Sequence, residues 1–194
     1  MELRQVRAIP SQFETRADGD DWKICGYFAV FGSDYNIAPD MSESIAPGAF
    51  TRTLAEQPDV RALINHDTTL VLGRTKAGTL VLKEDDHGLY GEATINRNDQ
   101  DAVNLYVRVK RGDVDQCSFG FEIRDEDTEF RADGSMHWTI KDVDLYEVSV
   151  CTFPAYEATS VSARTAERDA AKARALEAWR ARMREKLTRS DEDA

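Results

Sequence analysis

Between Trp22 and Cys151 the apolar runs of this chain are short, and most are separated by segments holding Gly, Asp or Asn, a spacing that suits strands and turns better than long helices. Trp22 to Phe31 (WKICGYFAVF) is rich in aromatic and β-branched residues and predicts a strand ended by Gly32-Ser33-Asp34. After a polar loop, Ile45 to Phe50 leads into a short helix ending near Glu56, with Pro47 at an early position where its missing N–H costs nothing. Val60 to Ile64 (VRALI) is a brief apolar run that stops at Asn65-His66-Asp67. Leu70 to Gly73, Thr79 to Lys83 and Leu89 to Ile95 are strand-like, separated by Lys76-Ala77-Gly78 and Asp85-Asp86-His87-Gly88 as in hairpins. The period changes over Asp101 to Arg111, where Ala102, Leu105, Tyr106 and Val109 share one helical face and Gly112 marks the stop. Val114 to Ile123 returns to alternation: Cys117, Phe119, Phe121 and Ile123 on one side, Gln116, Ser118 and Gly120 on the other. A polar turn at Asp133-Gly134 precedes two more strands, Trp138 to Ile140 and Leu145 to Cys151. The expected class is α+β and mostly β, a mixed barrel or sandwich with a few surface helices.

The composition shifts after Ser162. Thr165 to Leu187 is dense in Ala, Arg and Glu with no Gly or Pro, so a helix is expected there, with Leu176, Trp179, Met183 and Leu187 in a narrow stripe. Such a helix could pack on the body, pair with a copy of itself or dock a partner. Ser190 to Ala194 reads as a disordered acidic end. The expected organisation is a compact body over residues 1–163 followed by a charged helical tail over 164–194. At 194 residues the chain suffices for one well-buried core. The formal net charge of −11 and the lack of a basic cluster before residue 164 argue against nucleic-acid binding. No apolar stretch approaches the ~20 residues that span a bilayer, and Met1 to Pro10 has no apolar signal region, so no membrane partner and a cytoplasmic setting are expected. Cys25, Cys117 and Cys151 lack CxxC spacing and the three histidines are scattered, so neither a metal nor a cofactor is expected.

Nucleophilic hydrolysis needs a hydroxyl or thiol, a base and a group to orient the base. His66, at the end of a rigid apolar run, is a candidate base, since an imidazole titrates near neutral pH. His87 lies in a tight polar turn, and His137 opens a strand. Ser118 stands on a strand whose opposite face is anchored by aromatics, with Gly120 leaving room beside it. Glu147 lies within an otherwise apolar strand and shares a face with Ser149 and Cys151. Burying a carboxylate there is costly without a partner, so Glu147 joins Asp67 and Asp144 as possible orienters of His66. Cys117 and Cys151 are rival nucleophiles, although Cys117 shares its face with Phe119 and Phe121 and reads as a buried thiol.

At these residues the sequence resembles the caudoviral prohead protease family, the phage relatives of herpesvirus assemblins. The blocks, in order, are Gly26 to Phe31, Glu43 to Phe50 (ESIAPGAF), Leu63 to Asp67 (LINHD), Val114 to Phe121 (VDQCSFGF) and Leu145 to Tyr156 (LYEVSVCTFPAY). The resemblance implies an assemblin-like mixed β-barrel and a serine endopeptidase of capsid maturation, with Ser118 as nucleophile and His66 as general base. Glu147 is the expected third member, with His137 a lesser candidate because the herpesvirus relatives use a second histidine. The implied partners are the major capsid protein and the scaffold polypeptide, cut together with the enzyme itself inside the immature capsid in the host bacterial cytoplasm. The tail helix is then a segment for self-association or scaffold docking. The alternative is a non-catalytic structural or scaffold component with the same fold.

Overall fold

The computed structural model describes residues 5–10, 13–18, 21–153 and 158–192. The chain forms two compact units, residues 1–157 and 158–194. In the first unit, two sheets share one core. The larger is built on two long strands, β10 (Gln116–Phe130) and β11 (Met136–Cys151), which pair antiparallel. β1 (Gln5–Pro10) lies antiparallel on the far side of β10. Two short strands share the other side of β11, both parallel to it: β5 (Met41–Ile45) against Met136–Ile140 and β6 (Arg61–Ile64) against Glu147–Val150. β4 (Tyr35–Ala38) pairs with β5, and β7 (Asp67–Arg74) pairs with β6. The smaller sheet runs β2 (Glu14–Asp18), β3 (Asp21–Val30), β9 (Gly88–Thr94), β8 (Leu80–Glu84).

The expected mostly-β body with few helices is what forms. Helix α1 is the single turn Thr51–Ala55, and α2 spans Gln100–Arg111. The Asp99 side chain caps α2 by accepting from the backbone N–H of Asp101 and Ala102, and Gly112 closes it at φ 78°. Its buried residues are the four expected: Ala102, Leu105, Tyr106 and Val109. The core joins Ile24, Phe28 and Leu89 from the small sheet to Phe119, Phe121, Val148 and Val150 from the large one. The alternation of β10 and β11 thus puts one face of each strand on an apolar layer.

Four strands were not expected from the sequence, and β5 shows why. Its segment Met41-Ser42-Glu43-Ser44-Ile45 is polar enough to read as loop, yet every residue is buried. Those polar side chains are satisfied by distant partners. Arg7 in β1 grips Glu43 through both carboxylate oxygens, Nη2 to Oε1 at 2.8 Å and Nε to Oε2, while Ser42 and Ser44 bracket the two ring nitrogens of His137 at 2.8 Å each. The two strands expected at Trp138 and Leu145 are one continuous strand. Polar residues Lys141, Asp142 and Asp144 at its centre are held by ion pairs to Asp125, Asp127, Arg52 and Arg124.

The second unit is the helix α3 (Ala158–Glu192). It begins before the expected Thr165 and continues through Ser190–Glu192, where disorder was expected; Asp193 and Ala194 lie outside the described residues. Leu176 and Trp179 of the stripe are exposed, and the side chains of Met183 and Leu187 lie outside the described ones.

Glu43 is fully buried and Arg7 nearly so. Breaking one side of such a pair strands a charge in low dielectric, which costs about 3–5 kcal/mol. Glu43→Ala should therefore lower the unfolding free energy by about that amount in urea titrations. The double variant Arg7→Met/Glu43→Leu should be more stable than either single variant, because no charge is left behind.

Candidate active site

β6 and β7 form a hairpin in which Ile64 faces Asp67 across a two-residue loop, Asn65-His66. Both loop residues have positive φ, 51° and 61°. That is the backbone of a primed hairpin turn, whose twist matches that of the strands. Histidine rarely adopts this conformation, and here it turns the ring toward β11. His66 Nδ1 lies 2.7 Å from Glu147 Oε1. Since a carboxylate only accepts, Nδ1 is the donor in this contact, and Nε2 is the ring nitrogen left for another partner. His66 Nε2 is buried and has no hydrogen-bond partner among the described residues.

Glu147 is 3% exposed. Its other oxygen accepts from Ser149 Oγ at 2.6 Å. Ser149 in turn sits directly opposite Ser118 in the β10–β11 ladder, and Glu147 opposite Gly120. Strand alternation therefore puts Ser118, Gly120, Glu147 and Ser149 on one face, away from Phe119 and Val148. Ser118 and Glu147 are diagonal neighbours, a separation of roughly 7–8 Å. Ser118 is fully buried, and its Oγ donates to the Arg7 carbonyl of β1 at 2.8 Å. The structure brings His66 and Glu147 into contact and Ser118 onto the same face, but the hydroxyl is bonded to β1 and not to the imidazole. Beside Glu147 a cleft of about 470 Å³ is lined by Asp59, Arg61, Leu63, Thr68 and Tyr146. The Asp59 carboxyl is held down at about 2, chiefly by hydrogen bonds from Arg74.

The other candidate orienters are engaged elsewhere. Asp67 accepts from the backbone N–H and the hydroxyl of Thr69. Asp144 is taken by Arg124 and Arg52, which keep its carboxyl below the usual range. His137 stands ten residues from Glu147 along one strand, roughly 33 Å at strand rise, and sits between Ser42 and Ser44. The His87 ring meets Tyr27 edge-on at 4.5 Å. Cys117 is fully buried with its thiol donating to the Tyr27 carbonyl at 3.2 Å. Burial pushes the Cys151 thiol up to about 12, so it is not a thiolate at neutral pH. Sequence reasoning had placed Ser149 on the Glu147 face without giving it a part; the polar alternation Glu-Val-Ser was the signal. Asn65 marks only the end of an apolar run in the sequence, and its bonds to Val150 and Thr152 appear only in the fold. Pro154, Ala155 and Tyr156 of the closing block lie outside the described residues. Among the described residues no cluster of His, Cys, Asp or Glu could hold a metal ion, and no helix is long and apolar enough to cross a membrane.

A strand serine and a buried carboxylate on one face of β10–β11, with a hairpin histidine bonded to that carboxylate, are the residue types that nucleophile–base–acid hydrolases use. The comparisons with known proteins give that class its family. The model of the caudovirus prohead serine proteases matches residues 11–174, and the chain belongs to this family. It is 32% identical to the prohead protease of Enterobacteria phage HK97 over 140 residues, 71% of this chain and 60% of that protein. The fold is similar to that of the bacteriophage T4 capsid assembly protease gp21, with a TM-score of 0.53 and 10% identity over 78% of this chain and 98% of that one.

If the thiols are buried as described, the native protein at pH 8 should resist iodoacetamide at Cys117 and Cys151 and react fully once unfolded. Rapid alkylation of either thiol in the native state, scored by intact mass, would contradict that burial.

Proposed function

We propose that this chain is a serine endopeptidase of the phage prohead, with Ser118 as nucleophile, His66 as general base and Glu147 as the carboxylate that orients the base. The observation that carries this reading is the 2.7 Å contact of His66 Nδ1 with a buried glutamate, one strand away from a serine in the family's motif. Buried carboxylates are costly without partners, and the partners of this one include the imidazole and Ser149.

The chemistry follows from the tautomer. Glu147 fixes the proton on Nδ1, leaving Nε2 to take the Ser118 proton as Oγ attacks a scissile carbonyl carbon. For this the hydroxyl must exchange its bond to the Arg7 carbonyl for one to Nε2. Such bonds often tighten only when substrate is in place. Collapse of the tetrahedral adduct breaks the C–N bond, with the proton passing from Nε2 to the leaving amine. Water then attacks the acyl-enzyme and gives a proton to Nε2; collapse breaks the ester C–Oγ bond, that proton returns to Ser118 Oγ, and the new carboxyl terminus leaves. Glu147 stabilises the imidazolium formed in each half and is not itself protonated.

The substrates we propose are the scaffold polypeptide or the scaffolding segment of the major capsid protein, together with the enzyme itself, cut inside the immature capsid in the host cytoplasm. The protease domain in this reading is residues 1–163. The charged tail of 164–194, with Leu176 and Trp179 exposed on its helix, would serve self-association or docking to scaffold. The acidic balance of the chain, −11 overall, disfavours nucleic acid as a partner.

Co-expression with the cognate major capsid protein, read by intact mass, tests the reading. Ser118→Ala should abolish cleavage. Glu147→Gln should slow it by about 10³–10⁴-fold with the fold intact, because an amide can no longer hold the same tautomer. Uncut capsid protein with wild type and variant alike, while assembly still requires the protein, would favour a structural component of the same fold. Truncation after Arg164 should spare peptide hydrolysis and reduce the protein recovered in proheads on density gradients; normal recovery would remove the docking role.

A further inference from the structure

We infer that Asn65 is a positioning residue for His66: it clamps the histidine hairpin to the strand that carries Glu147, and so sets the His66–Glu147 distance. The inference rests on His66 and Glu147 being the base and its orienter. Two bonds make the clamp, one to β11 and one to the residue just past its end. The Asn65 backbone N–H donates to the Val150 carbonyl at 3.1 Å, and the Thr152 N–H donates to Asn65 Oδ1 at 2.9 Å. They continue the parallel β6–β11 ladder, whose last register pair is Ile64 with Val150, past the point where β6 ends. The hairpin tip that carries His66 is therefore tied on both sides of Cys151, to β11 and to the residue that follows it, a few residues from Glu147.

The residue type matters because two demands meet at one position. The backbone at Asn65 is left-handed, φ 51°. Only Gly, Asn and Asp enter that region at little cost; other L-residues pay roughly 1–2 kcal/mol. Glycine would meet the backbone demand but has no oxygen for the Thr152 N–H. Asparagine and aspartate meet both. A merely structural turn would need only the first. The tip must also be held rigidly, because the next residue, His66, is itself left-handed at φ 61° and presents its ring to Glu147 from that strained backbone. A shift of about 1 Å in a catalytic group can cost as much as 10²-fold in rate.

The test compares Asn65→Asp, Asn65→Gly and Asn65→Ala in the full chain, with His66→Ala alongside. One readout is the pseudo-first-order cleavage rate of the cognate major capsid protein at saturating and limiting concentration. The other, which needs no substrate, is the downfield proton resonance of the His66 Nδ1–H bonded to Glu147. Asn65→Asp should retain the resonance and most of the rate. Asn65→Gly should lower the unfolding free energy only by the worth of about one hydrogen bond, while losing about twofold to tenfold in kcat through misplacement of the ring, with KM unchanged. Its Nδ1–H resonance should broaden or move. Asn65→Ala should lose more, towards 10²-fold, by displacing the ring further. A wild-type kcat and an unmoved resonance in Asn65→Gly would overturn the clamp. So would a loss in Asn65→Asp equal to that in Asn65→Gly. Full cleavage by His66→Ala would overturn the catalytic reading, and the clamp with it; loss in His66→Ala beside an unchanged Asn65→Gly overturns the clamp alone.

Discussion

The antiparallel ladder between β10 and β11 is the constraint on which the rest of the body depends. Its period of two gives each strand one face for the core and one for the candidate site. Phe119, Phe121, Val148 and Val150 on the first face bury the large sheet against the small one. Because that face is filled, the register cannot slip by one residue without driving aromatics to the wrong side. The same locked register sets Ser118 opposite Ser149 and Gly120 opposite Glu147. The precision of the candidate site is thus a by-product of core packing.

Around that ladder the protein repeatedly uses buried polar groups as cross-links between segments far apart in sequence. Arg7 and Glu43 join β1 to β5, His137 joins β11 to two serines of β5, and Glu147 joins β11 to the β6–β7 hairpin. Each link supplies the partner that makes burial tolerable, and each specifies one pairing among the many that apolar contact alone would permit. The site belongs to this pattern: chemically, the His66–Glu147 pair is one more such link, placed where its imidazole has a nitrogen to spare. Arg7 contributes twice, through its side chain to Glu43 and through its carbonyl to the Ser118 hydroxyl. The N-terminal strand is therefore bound up with the geometry of the site.

Where strands alternate cleanly or helices carry caps, the chain could be read directly. β3, β9, the first half of β10 and the end of β11 follow from aromatic and β-branched alternation, and α2 from its periodic face between Asp99 and Gly112. β5 could not be read this way, because Ser42, Glu43 and Ser44 look like loop until Arg7 and His137 are known to lie against them. The continuity of β11 was hidden for the same reason, its polar middle being paid for by ion pairs from other strands. His137 shows the converse: a histidine at a strand end is chemically eligible, and the structure holds it between Ser42 and Ser44, at the far end of β11 from Glu147.

What the sequence determined by itself was the inventory and its local arrangement. It placed His66 at the end of a rigid run, Ser118 on the face opposite the aromatics, and Glu147 as a carboxylate that burial would force to find a partner. These are consequences of short-range periodicity and of the cost of burying charge, which any single strand expresses. The tertiary structure alone decided which partner Glu147 takes, that Asp67 and Asp144 are bound elsewhere, and that the Ser118 hydroxyl rests on the Arg7 carbonyl. Those outcomes depend on register between strands and on a hairpin with two left-handed residues. Contacts across tens of residues are selected by the packing of the whole body, and no local pattern encodes them.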